Sequence, residues 1–153
     1  MGATTCTRRI QFCAGHRVQG HENKCRNLHG HNYVVFFEAR AQQLDSLGRV
    51  IDFSVLKMKL GGWIDENWDH GFVLGESDHQ AHTAIGGLAA QKIYIMPTNP
   101  TAENMAEYLL RKVGPRQLAG TGVELCRVTL WETENCYATA DLDLPMTRIT
   151  PSK

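Results

Sequence analysis

No stretch of this 153-residue chain is apolar for long enough to cross a bilayer, and neither sign of charge is in excess. Sixteen lysines and arginines balance sixteen aspartates and glutamates, with no block of either sign. The first absence excludes a membrane span. The second excludes a nucleic acid or membrane surface recognised by bulk charge. The sequence also lacks a Cys-x-x-Cys pair; its five cysteines are Cys6, Cys13, Cys25, Cys126 and Cys136. An odd number of scattered thiols does not make a disulfide framework and fits a reducing compartment. The amino terminus has no apolar signal core, and Cys6 stands where an acylated Met-Gly start needs serine or threonine. A cytoplasmic protein without membrane or nucleic-acid partners is the expectation. There are no internal repeats and no low-complexity tract, so residues 1–153 read as a single domain.

What the chain does have is alternation. Ile10, Phe12, Ala14 and His16 share one face of a strand over 7–16, followed by a polar loop over 17–27. Residues 32–41 are rich in β-branched and aromatic side chains and read as a second strand, with a turn over 46–49 and a third strand over 50–53 paired to it. Asp52 or Ser54 can cap a helix reaching about Trp68, weakened by Gly61-Gly62. A second helix starts at the cap Thr101, carries Glu103 in its first turn and stops at Gly114-Pro115. Strands over 123–133 and 137–144 close the chain. The expected class is α+β, an antiparallel sheet with helices on one face. Residues 69–99 fit no regular pattern, beyond a possible short helix over 84–91 and strand over 92–96.

The chemistry concentrates near the amino terminus. His29 and His31 flank a single glycine, so in an extended strand both imidazoles project to the same face. His16 ends the preceding apolar strand. Three imidazoles form an incomplete tetrahedral shell, the arrangement of catalytic zinc sites. Cys25, four residues before His29, leaves two readings open: a fourth ligand closing a structural zinc site, or a thiolate stabilised nearby as base or nucleophile. Asp69-His70 offers a carboxylate beside an imidazole, a recurrent device for proton transfer. Glu132 continues the alternation of Val128 and Leu130, either buried and in need of a bidentate donor or emerging at the strand end. Asp78, His79 and His82 read as a solvated loop.

These residues resemble the 6-pyruvoyltetrahydropterin synthase/6-carboxytetrahydropterin synthase family along nearly the whole chain. The resemblance is carried by Phe12-Cys13-Ala14-Gly15-His16, Lys24-Cys25-Arg26-Asn27-Leu28-His29-Gly30-His31, Val50-Ile51-Asp52-Phe53, Asp69-His70, Asn99-Pro100-Thr101-Ala102-Glu103-Asn104 and Trp131-Glu132-Thr133. It implies a tunnelling fold: a four-stranded antiparallel sheet with two main helices on one face, assembling into a barrel. It further implies a homohexamer of two stacked trimers with active sites between subunits. By the same resemblance His16, His29 and His31 bind zinc, Cys25 is the general base, and Asp69 and His70 are its proton-relay partners. Glu132 anchors a pterin ring, and Thr101, Ala102 and Glu103 line its pocket. The implied substrate is 7,8-dihydroneopterin triphosphate. Two outcomes are open: triphosphate elimination to a pyruvoyl product, or carbon–carbon cleavage to a 6-carboxy product on the route to queuosine. The three-residue gap between Cys25 and His29 resembles the bacterial carboxy type. The Asp69-to-Asn99 segment is longer than in compact bacterial members and reads as an irregular insertion at about 71–98. A non-catalytic pterin-binding protein with a structural zinc site is the reading from another class.

Overall fold

The computed structural model describes residues 4–148; the Met1-Gly2 start read against acylation lies outside them. Two long strands, β1 (Thr5–His16) and β2 (His29–Ala41), pair antiparallel along their full length, with His16 opposite His29 and Ala14 opposite His31. Two short strands follow, β3 (Gly71–Gly75) and β4 (Ile93–Met96), then β5 (Val123–Thr133) and β6 (Cys136–Asp141). They make one six-stranded sheet in the order β4-β3-β1-β2-β5-β6. The β1, β2, β5 and β6 strands form antiparallel pairs, whereas β3 runs parallel to β1 and β4 parallel to β3. The sheet is therefore mixed and six-stranded, not the antiparallel four-stranded one expected.

Helical run α1 spans 53–67, α-helical at each end with a π-helical stretch at Lys57–Gly61. Asp52 caps it by accepting from the Ser54 amide at 2.7 Å. Gly61 has a packing reason: a Cβ there would meet Ile10 Cδ1 at 3.0 Å, so its absence lets α1 lie close on β1. Helix α2 covers His79–Gly86, and helical run α3 covers 102–117, capped by Thr101. Both long runs cover the sheet face that carries Ile10, Phe12, Tyr33, Val35 and Phe37, and they bury Leu60, Ile64, Met105 and Leu109 against it. Among the described residues no helix is long and apolar enough to cross a membrane.

Several sequence expectations fail for identifiable reasons. Residues 50–53 form no strand. Asp45 accepts from the amides of Leu47 and Arg49, and the Arg49 guanidinium bridges Asp45 to Asp52. That ties the segment into the cap of α1 and leaves Val50 as a buried plug. The α3 run does not stop at Gly114-Pro115 but continues to Gln117. A π-helical turn at Leu109–Val113 precedes the proline, placing its missing N–H in the first turn of a new α segment, where no donor is needed.

The 71–98 stretch is also regular, holding β3, α2 and β4. Val73 enters the main core, while Leu74 and Phe72 turn the other way and pack with Ala81 and Ile85 of α2. That places α2 on the sheet face opposite the two long runs. Asp78 is 1% exposed, caps α2 through the Ala81 amide, and takes a bidentate pair from Arg17 at 2.6 and 2.5 Å. It is an anchor and not part of a solvated loop.

The Arg17 guanidinium holds the Asp78 carboxyl below its ordinary range. A carboxyl so lowered adds stability above its ordinary value and loses it as the pH falls toward the folded value. Asp78→Ala should cost about 3 kcal/mol at neutral pH by leaving Arg17 unpaired. Urea unfolding should also show a shallower loss of stability below pH 4 than in the wild-type protein.

Candidate active site

The β1–β2 register is what brings the histidines together. Cross-strand partners share a face, so His16 and His29 stand side by side with His31 one step along. Ring centroids lie 4.6 to 5.1 Å apart. The Nδ1–H of His16 donates to the Pro100 carbonyl at 2.7 Å, and that of His29 to the Asn27 carbonyl at 2.7 Å. Both bonds fix the tautomer, leaving each Nε2 a bare lone pair. Those two Nε2 atoms face each other at 3.1 Å. Two lone pairs so close repel unless a cation stands between them. The Nε2 of His31 is also buried with no hydrogen-bond partner.

Burial pushes the His16 pKa down to about 4, helped by the neighbouring imidazoles, and lowers that of His31 for the same reason. Neutral imidazoles are the ligand form. The ligand atoms of His16, His29 and His31 all lie within 4.8 Å of one another, and together they can hold a metal ion. Cys25 stands outside that group.

Cys25 sits in a one-turn 3₁₀ segment, Lys24–Arg26, on the loop between β1 and β2. Its thiol faces a cavity of about 200 Å³ shared with Thr101, Ala102, Glu103 and Glu132. Five of the expected site residues thus line one cavity. Glu132 sits at a β-bulge, Trp131 pairing with Tyr137 and Thr133 with Cys136, which leaves it unpaired in that ladder on the face it shares with His31. Its Oε2 lies 3.8 Å from His31 Nε2. Burial first, and the Glu103 carboxylate second, push its pKa up.

Asp69 and His70 go elsewhere. They follow α1 and meet Cys13, whose side chain points to the opposite face of β1 from His16. His70 is 77% exposed, adopts a left-handed φ of 59° and is held by its amide donating to the Cys13 carbonyl at 2.7 Å. Its Nδ1 lies 2.8 Å from Asp69 Oδ2. Cys25 and His70 therefore line different cavities of one chain.

Other residues of the site stood in the sequence motifs without a role or lay outside them. The Pro100 carbonyl orients His16 but carries no side-chain signal. Asn99 clamps Gln19 through two hydrogen bonds at 3.0 and 2.9 Å, and Asn104 donates back to the Asn99 carbonyl. His21, Cys136 and Tyr137 also line the Cys25 cavity.

The lowered His16 pKa has a measurable consequence for the metal-free protein. Unfolded, His16 takes up its proton near 6.5; folded, only near 4. Between those values the unfolded state holds more protons, so stability falls as the pH falls. The loss should reach about 3 kcal/mol by pH 4. His16→Gln should remove that part of the slope in urea titrations at successive pH values.

A family model described as 6-pyruvoyl tetrahydropterin synthase matches residues 5–143. A Rickettsia felis protein named 6-carboxy-5,6,7,8-tetrahydropterin synthase is 46% identical over 86% of this chain and 96% of its own length. An Aquifex aeolicus protein of the same name is 32% identical over 84% of this chain and 92% of its own. Among solved structures, an uncharacterized protein from Wolinella succinogenes has a TM-score of 0.79 at 22% identity, covering 93% of this chain and 99% of its own. A Caenorhabditis elegans 6-pyruvoyl tetrahydropterin synthase has a TM-score of 0.67 at 25% identity, covering 92% and 96%. The tunnelling fold expected from the sequence is the fold of these neighbours. With nearly all of its described residues inside the family match, the chain belongs to the 6-pyruvoyl tetrahydropterin synthase family.

Proposed function

We propose that the protein is a 6-carboxytetrahydropterin synthase. It converts 7,8-dihydroneopterin triphosphate and one water to 6-carboxy-5,6,7,8-tetrahydropterin, acetaldehyde and triphosphate, in the biosynthesis of 7-deazaguanine nucleosides such as queuosine. The observation that carries this reading is the single cavity in which Cys25, Glu132 and the Thr101–Glu103 segment meet, its Glu132 standing 3.8 Å from one of three converging imidazoles. The relatives' shared name favours the carboxy product over the pyruvoyl one.

Glu132 accepts two N–H donors from the edge of the pterin ring, a bidentate pairing that a half-buried carboxylate fits well. Thr101, Ala102 and Glu103, at the start of α3, border the ring. Cys25 removes a proton from the substrate side chain. His70, held in one tautomer by Asp69, returns a proton to the reduced ring. The ion at His16, His29 and His31 is zinc; when bound it supplies Lewis-acid chemistry that lowers the proton affinity of the side-chain hydroxyls. Three imidazoles with no thiolate in the group match an open catalytic site better than a closed structural one.

Cys25 and the Asp69–His70 pair face different cavities, so one chain does not complete the machinery alone. The reading therefore includes a homohexamer whose sheets join into a barrel, with each Cys25 cavity completed by Asp69 and His70 from a neighbouring copy. Five free thiols fit a cytoplasmic location.

The test supplies dihydroneopterin triphosphate to zinc-loaded protein and identifies the product by mass spectrometry. A 6-carboxy product with acetaldehyde is expected; a pyruvoyl product overturns the choice of reaction. Cys25→Ala should keep its zinc and its melting temperature while losing at least about 100-fold in turnover. Loss of metal in that variant would mean a structural site instead.

A further inference from the structure

A second group of ligand-type side chains lies on the other face of β1. The donor atoms of Cys13, Asp69 and His70 all fall within 4.8 Å of one another. Alternation along β1 turns the Cys13 side chain away from His16, and the cavity it lines with His70 also reaches His29 and His31.

Its geometry is that of a metal-binding pocket. His70 Nδ1 donates to Asp69 Oδ2 at 2.8 Å, which leaves Nε2 as the free lone pair. Both ring nitrogens stand near Cys13 Sγ, Nε2 at 3.6 Å and Nδ1 at 3.8 Å, so the sulfur lies beside the ring and off the axis of the Nε2 lone pair. A tetrahedral ion with sulfur at about 2.3 Å and nitrogen at about 2.0 Å holds its sulfur and nitrogen about 3.5 Å apart. Asp69 Oδ1 lies 3.9 Å from the same sulfur. The backbone is fixed to match. The Cys13 amide donates to Asp69 Oδ1 at 3.0 Å, and the His70 amide donates to the Cys13 carbonyl at 2.7 Å. The second of these bonds holds His70 in its left-handed conformation. The backbone needs no change for the three side chains to converge; only the His70 ring, open to solvent on its outer side, must turn to aim Nε2 at the shared ion. One thiolate, one imidazole and one carboxylate suit a thiophilic dication such as zinc or cobalt(II), with water completing the shell.

We propose that Cys13, Asp69 and His70 form a second metal site, weaker than the three-histidine site, whose occupation silences the enzyme. The silencing rests on the proposed role of Asp69 and His70 in proton transfer: a metal on His70 Nε2 occupies the atom that would carry the proton. The metal site itself does not depend on that role. A protein that requires one zinc ion would thus be inhibited by excess of the same ion.

Cobalt(II) is the probe, added to the intact assembled protein. Equilibrium dialysis should give two ions per chain for wild type and for Cys25→Ala, and one for Cys13→Ala. The near-ultraviolet thiolate-to-cobalt band should persist in Cys25→Ala and vanish in Cys13→Ala. Cys13→Ala should keep basal turnover and resist inhibition by excess zinc. One ion per wild-type chain overturns the site, as does a Cys13→Ala variant that retains both ions and the band. Two ions without inhibition support the site and count instead against the relay role of Asp69 and His70.

Discussion

Everything at this site depends on one pairing, His16 opposite His29 across the β1–β2 ladder. Register in a sheet is all or nothing: a slip of one residue would send His29 and His31 to the opposite face and bury Gly30 in their place. The same register places Phe12 against Tyr33, stacked at 5.0 Å, and Ile10 against Val35. The hydrophobic core and the metal-binding geometry are therefore specified together. Burying Tyr33, Val35 and Phe37 aims the histidines, and no separate folding decision is needed for the site.

The rest of the fold supports that pairing from its open end. β1 ends at His16, where a strand terminus would otherwise fray. Three contacts hold it: the Pro100 carbonyl on His16, the Asn99 side chain on Gln19, and the buried Arg17–Asp78 pair. All three come from the β3-to-α3 region, far along the chain. That gives the 71–98 segment a physical purpose in this protein. It adds β3 and β4 beside β1, caps α2 with Asp78, and delivers Asn99 and Pro100 to the histidines. The fixed Nδ1 donors then leave bare Nε2 lone pairs confronting each other at 3.1 Å, a repulsive arrangement that a cation relieves.

Much of this was legible in the sequence, and the failures follow physical lines. The long strands showed themselves through alternation, and the α3 start through the Thr101 cap, because both signals are local. Strand β3 was missed because a parallel strand buried on both faces does not alternate, whereas the edge strand β4 matches the strand offered over 92–96. Residues 50–53 imitated a strand over four positions, too few to outweigh the Asp45–Arg49–Asp52 network that ties them to a helix cap. Glu132 stood correctly in line with Val128 and Leu130, on the face that carries His31, but the bulge that leaves it unpaired has no sequence mark. The motifs also gathered Cys25 and Asp69-His70 into one site, whereas within one chain Cys25 and His70 line different cavities. A linear pattern carries no mark of which copy of a chain supplies each residue of a site.

That separation is where the account is most exposed. Subunit mixing tests it directly: Cys25→Ala and His70→Ala proteins, each inactive alone, are co-refolded in equal amounts and assayed with dihydroneopterin triphosphate. If each site joins Cys25 of one copy to His70 of a neighbour, random mixing restores activity to about one quarter of wild type, the share of sites that pair two intact halves. A mixture that stays as inactive as its parents, with co-assembly verified by mass spectrometry, would contradict the account.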